Sequence, residues 1–109
     1  MHRRFEERSA TEFDVVVTDL SSESRSGAGQ VCDISKSGIC ATLPVDLVPG
    51  SAVRMEIADS TLFGHVVYSN PDGVRFRIGI EVVRVLWGGT DHARLLQSTL
   101  DRAMKETNA

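Results

Sequence analysis

Two short stretches of this chain hold the side chains best suited to binding chemistry. HRRFEER, His2 to Arg8, places Arg3, Arg4 and Arg8 near the start, with Arg4 and Arg8 four positions apart. DISKSG, Asp33 to Gly38, gathers a carboxylate, two hydroxyls, an ammonium and a glycine. A guanidinium offers a planar fork of donors that meets oxyanions with paired hydrogen bonds. Taken singly, each stretch has an ordinary structural reading. A charged terminus beside Glu6 and Glu7 is usually a solvated arm, whose exposed ion pairs contribute about 0–1 kcal/mol. Asp, Ser and Gly are common turn residues for conformational reasons alone.

Other chemistries lack their patterns. His2, His65, His92 and the two cysteines show no paired close spacing of a zinc site, and neither HExxH nor CxxC occurs, so no metal is expected. No GxSxG elbow marks a nucleophile, and GAG at Gly27–Gly29 lacks the spacing of a phosphate loop, so no enzymatic activity is expected. Cys32 and Cys40 flank DISKSG on strand-like segments, where small buried side chains are the usual explanation and redox sensing the rarer one. No secretory signal precedes them, which predicts reduced thiols in a cytoplasm. The net charge of −3 argues against a general binder of DNA or RNA and leaves room for a small anion held locally. No apolar run approaches the roughly 18 residues of a membrane helix, so no membrane insertion is expected.

These residues need a scaffold. At 109 residues, with 41% hydrophobic and 25% charged side chains, the chain reads as one self-folding domain. FDVVVTD (Phe13–Asp19) predicts a strand, and the Ser- and Gly-rich run Ser21–Gly29 predicts a loop or long hairpin turn. QVCDI and GICATL predict two strands joined tightly through SKSG, with Gly38 the turn residue. In Ala52–Ile57 the apolar Val53, Met55 and Ile57 alternate with Ala52, Arg54 and Glu56. TLFGHVVYSNPDG predicts a strand ending in a turn at Asn70–Gly73. VRFRIGIEV follows, with Val74, Phe76, Ile78, Ile80 and Val82 on one face. After Gly88-Gly89 the period becomes helical: Ala93, Leu96, Leu100, Ala103 and Met104 share a side, Thr90 or Asp91 serves as cap, and the face packs on its own barrel or on a second copy. Trp87 is expected to cover one end of the barrel. The pattern is all-β with a C-terminal helix, a small antiparallel barrel or sandwich.

Considered together, the two stretches resemble the PilZ domain family. RFEER fits RxxxR through Arg4 and Arg8, and DISKSG fits D/N-x-S-x-x-G through Asp33, Ser35 and Gly38, in the family's order and approximate separation. The similarity continues through GQVCDISKSGICATLP, LVPGSAVRMEI, GHVVYSN and FRIGIEV, from Arg3 to about Val83. It implies a six-stranded antiparallel β-barrel of split-barrel type: residues 1–12 a basic ligand-clamping arm, 13–87 the barrel and 90–107 the helix. It further implies a bacterial receptor for cyclic di-GMP, with no cofactor beyond that ligand.

The ligand's chemistry matches the residue types. Arg4 and Arg8 suit its phosphates or the O6/N7 edge of guanine. Asp33 would accept from guanine N1 and N2 hydrogens, Ser35 would donate to phosphate or base, and Gly38 would leave room for close approach. Arg3, just before RxxxR, is compatible with a stacked pair of ligands instead of one. Lys36 and Ser37 occupy the family's variable positions. The resemblance also implies that ligand orders the arm and so changes a surface read by an effector protein in motility, adhesion or exopolysaccharide output. The alternative is a PilZ-like interaction module that binds no nucleotide. Monomer and homodimer both remain open.

Overall fold

A computed structural model describes residues 13–22, 25–36 and 38–107, with side chains through residue 103. The expected arm, and with it Arg3, Arg4 and Arg8, lies outside the described residues, as do Ser37 and the Met104 side chain. Six strands, β1 (Asp14–Asp19), β2 (Ser26–Ser35), β3 (Gly38–Leu43), β4 (Ala52–Ile57), β5 (Ser60–Asp72) and β6 (Arg75–Leu86), precede one helix, α1 (Asp91–Thr107). They close in the order β1-β2-β3-β6-β5-β4, with every pairing antiparallel. The expected small barrel, with its helix at the C-terminal end, is what forms.

Alternation builds the core. Val15 and Val17 of β1, Val53, Met55 and Ile57 of β4, Leu62 and Val66 of β5, and Ile78 and Ile80 of β6 all point inward and are buried. Fully burying such a side chain contributes about 1.5–3 kcal/mol, and this continuous interior holds the barrel closed. Trp87 packs against the same core, partly buried.

Three sequence expectations are corrected. Ser26–Gly29 is the first part of β2 rather than loop, with Val17 opposite Gly27 and Val15 opposite Gly29. Weak intrinsic strand preference yields to pairing here, and a Cβ on Gly29 would run into the Thr42 carbonyl. Asn70–Asp72 belongs to β5, and the turn is confined to Gly73 (φ 68°) and Val74. β4 pairs with β5 only as far as His65, so Pro71 lies where β6 alone is its neighbouring strand, a position that tolerates a missing N–H. Val74, predicted to share the inner face with Ile78 and Ile80, is instead 95% exposed because it forms the tip of this hairpin.

The loop after β1 is fastened by Asp19, a buried carboxylate that accepts from the Ser21 hydroxyl (2.7 Å) and the Ser21 backbone N–H (2.9 Å). The hydroxyl bond first, then the backbone bond, holds the Asp19 carboxyl below the usual carboxylate range. Its contribution to stability is present above the unfolded carboxylate pKa of about 3.9 and is lost as pH falls through the lower folded value. Asp19→Ala is expected to cost about 1.5–3 kcal/mol in urea unfolding near neutral pH, with the gap from wild type narrowing once pH falls below the unfolded value of about 3.9.

The helix is tied down at its start. Ala58 and Asp59 join β4 to β5 with φ of 51° and 56°, the left-handed pair that a two-residue hairpin requires. The Asp59 carboxylate then accepts from the Gly89 N–H (3.1 Å) and the Thr90 hydroxyl (2.7 Å). Thr90 in turn accepts from the Ala93 N–H at 3.1 Å, which makes it, rather than Asp91, the N-cap. Ala93, Leu96 and Leu100 are buried against the chain's own barrel, and His92 stacks on Phe13 with ring centroids 4.6 Å apart.

Candidate ligand-binding site

The site grows from irregularities in two strands, β2 and β5. In β2, Val31 faces the core, and strict alternation would then turn Asp33 and Ser35 inward as well. A bulge prevents this: Val31 opposes Ala41, Asp33 opposes Cys40, and Cys32 is the extra residue between them. The phase reverses, so Ile34 enters the core while Asp33 and Ser35 emerge on the outer surface. A second bulge does the same in β5. Val66 opposes Ile80 and Tyr68 opposes Gly79, with Val67 the extra residue, so Tyr68 emerges where alternation from Val66 would bury it.

The two bulges align one row across four strands. Asp33 of β2 pairs with Cys40 of β3, Cys40 with Gly79 of β6, and Gly79 with Tyr68 of β5. Gly79 is the low point of this row, because any Cβ there would collide with the Tyr68 ring. The ring therefore lies over Gly79, and its hydroxyl donates to Cys40 Sγ at 3.5 Å. All four residues, with Ser35, Gly38 and Val67 at the margin, line a cavity of about 210 Å³.

Gly38 holds the end of the β2–β3 hairpin opposite Ser35. Its φ of 137° lies in a region that side chains rarely enter, and a Cβ would strike the Ile80 carbonyl of β6. Ser35 and Gly38 also line a neighbouring groove of about 410 Å³, bounded by Glu81–Val85, Trp87 and, from α1, Leu100 and Asp101. The hairpin tip thus stands between a cavity on the barrel wall and a groove beside the helix.

Of the residues singled out from sequence, Asp33, Ser35 and Gly38 come together around one cavity. Tyr68 and Gly79 were not anticipated there. Tyr68 is the chain's single tyrosine, and its composition-level rarity is the sole sequence signal that could have drawn attention to it. Arg77 of β6, half-exposed and paired with Asp72 at 3.5 Å, places positive charge beside the row. Among the described residues no cluster of three or more His, Cys, Asp or Glu side chains could hold a metal ion. No helix among them is long and apolar enough to cross a membrane.

A closed antiparallel barrel carries an acid-and-glycine hairpin beside an outer-wall cavity and is followed by a packed helix. The PilZ domain model matches residues 2–87, which span both sequence motifs and the whole barrel, and the chain belongs to that family. No curated protein matches the chain. PilZ domains are in general receptors for cyclic di-GMP, and they are binding or adaptor modules rather than enzymes.

Proposed function

We propose that this chain is a cyclic di-GMP receptor without enzymatic activity or cofactor, acting in the bacterial cytoplasm through a protein partner. The observation that carries the reading is the convergence of Asp33, Ser35 and Gly38 on one outer cavity of a PilZ barrel. Asp33 would pair with the N1 and N2 hydrogens of a guanine, and Ser35 would donate to phosphate or base. The Tyr68 ring adds an apolar wall beside that carboxylate. A cavity of about 210 Å³ is smaller than the roughly 300–1,000 Å³ of typical ligand pockets, so a dinucleotide seated there extends over the surrounding surface. Arg4 and Arg8, and Arg3 where a stacked pair binds, would supply the cations to that extended ligand.

Titration calorimetry of the whole chain with cyclic di-GMP tests this reading. A charge-assisted hydrogen bond contributes about 1.5–3 kcal/mol, so Arg4→Ala is expected to weaken binding roughly ten- to a hundredfold. Equal affinity in wild type and variant would remove the arm from the site. Absence of heat from a folded wild type would leave the interaction module that binds no nucleotide. Ligand equivalents per chain distinguish a single molecule from a stacked pair.

A further inference from the structure

Cys32 and Cys40 are the chain's two cysteines, and the ligand reading gives them no role. Both are free and half-buried. The β2 bulge sets Cys32 and Asp33 together opposite Cys40, and the two sulfurs lie 3.0 Å apart. Cys40 Sγ accepts from the Cys32 thiol and from the Tyr68 hydroxyl. We propose that Cys32 and Cys40 are a modification site beside the cavity that Cys40 lines, oxidised by hydrogen peroxide to a reversible intramolecular disulfide, with Cys40 the attacking sulfur and Cys32 the resolving one.

The surroundings assign the two roles. Donation from the Cys32 thiol, then from Tyr68, and the positive field of Arg77 outweigh burial and the Asp33 carboxylate and bring Cys40 down to about 6. The same bond to Cys40, with burial, pushes the Cys32 thiol up, and the second donor, the Tyr68 hydroxyl, sits on Cys40, so the proton stays on Cys32. The Cys40 thiolate attacks one peroxide oxygen, the O–O bond breaks, and the departing hydroxide takes up the proton Cys40 had released, giving water and a sulfenic acid. The Cys32 sulfur then attacks the Cys40 sulfur. The S–O bond breaks, and hydroxide leaves as water with the Cys32 proton. Two thiols and one hydrogen peroxide become one disulfide and two waters. Closing this bond would fix the bulge that aims Asp33 and Ser35 outward, a consequence that rests on the ligand site proposed above.

Treatment of the reduced full chain with hydrogen peroxide, followed by intact mass and thiol counting, tests the proposal. The expected product has lost two hydrogens, exposes no free thiol, forms no covalent dimer and returns to the starting mass with dithiothreitol. Cys32→Ser is expected to stop at a Cys40 sulfenic acid that dimedone traps, and Cys40→Ser to react at least about tenfold more slowly near neutral pH. Persistence of both thiols, oxygen addition without hydrogen loss, or crosslinking between chains would overturn the site. Cyclic di-GMP titration of the reduced and oxidised forms then reads the coupling, with an affinity difference of at least about threefold expected. Equal affinities would overturn the coupling alone. Binding by neither form would sink the ligand reading while the mass result still decides the disulfide.

Discussion

Replacing Asp33 by alanine is expected to weaken cyclic di-GMP binding roughly ten- to a hundredfold and to erase preference for guanine over adenine. Both effects follow from one carboxylate. It is acceptor-only when ionised, so it matches the N1 and N2 hydrogens of guanine, whereas adenine has no such pair on that edge. A net loss equivalent to one charge-assisted hydrogen bond, about 1.5–3 kcal/mol, sets the size of the drop. Asp33→Asn should recover little, because its amide offers donors toward a ligand edge that also donates. Calorimetry with cyclic di-GMP and cyclic di-AMP measures both effects in one series. Asp33 is exposed on the outer wall, so melting curves of the variants should overlay wild type. An Asp33→Ala protein that keeps full affinity and base preference would refute the assigned role.

Gly38→Ala is expected to be the most damaging small substitution in the hairpin. The backbone at φ 137° belongs to glycine, and a side-chain carbon there meets the Ile80 carbonyl rather than a movable side chain. Strain of about 1–3 kcal/mol adds to an overpacking cost of about 1–3 kcal/mol. For a domain this size, each kcal/mol shifts the melting temperature by roughly 4–8 °C, so the combined cost of about 2–6 kcal/mol is expected to lower it by at least about 8 °C by circular dichroism. Any affinity loss would be measured well below the new midpoint, which separates damage to the site from simple unfolding. A melting temperature within a few degrees of wild type would show that the hairpin relaxes freely, contrary to its close packing on β6.

Much of the scaffold was legible because local patterns and global pairing agree. Val53, Met55 and Ile57 alternate in β4 and are buried, and Ala93, Leu96 and Leu100 repeat at helical spacing and are buried. Where the two levels disagree, sequence reasoning failed. Ser26–Gly29 has the composition of a loop, yet Gly29 admits the close approach of the Thr42 backbone. Asn70-Pro71-Asp72-Gly73 has the composition of a turn, yet the ribbon carries three of those residues. Asp33, Ser35 and Gly38 were recognisable as a motif, whereas Tyr68 was hidden. Its outward position depends on the extra residue Val67, and a bulge is a property of two strands' relative register that neither strand displays alone.

The row from Asp33 through Cys40 and Gly79 to Tyr68 draws one residue from each of four strands, so no contiguous fragment of the polypeptide contains it. A molecule that recognises the row has nothing to hold on an unravelled chain. By mass action, occupancy at a hundred times the dissociation constant adds about 2.7 kcal/mol to the folding equilibrium. For a domain of this size that is a large share of a total reserve of about 5–15 kcal/mol, so a chain with its row occupied would outlast its empty counterpart against proteolysis.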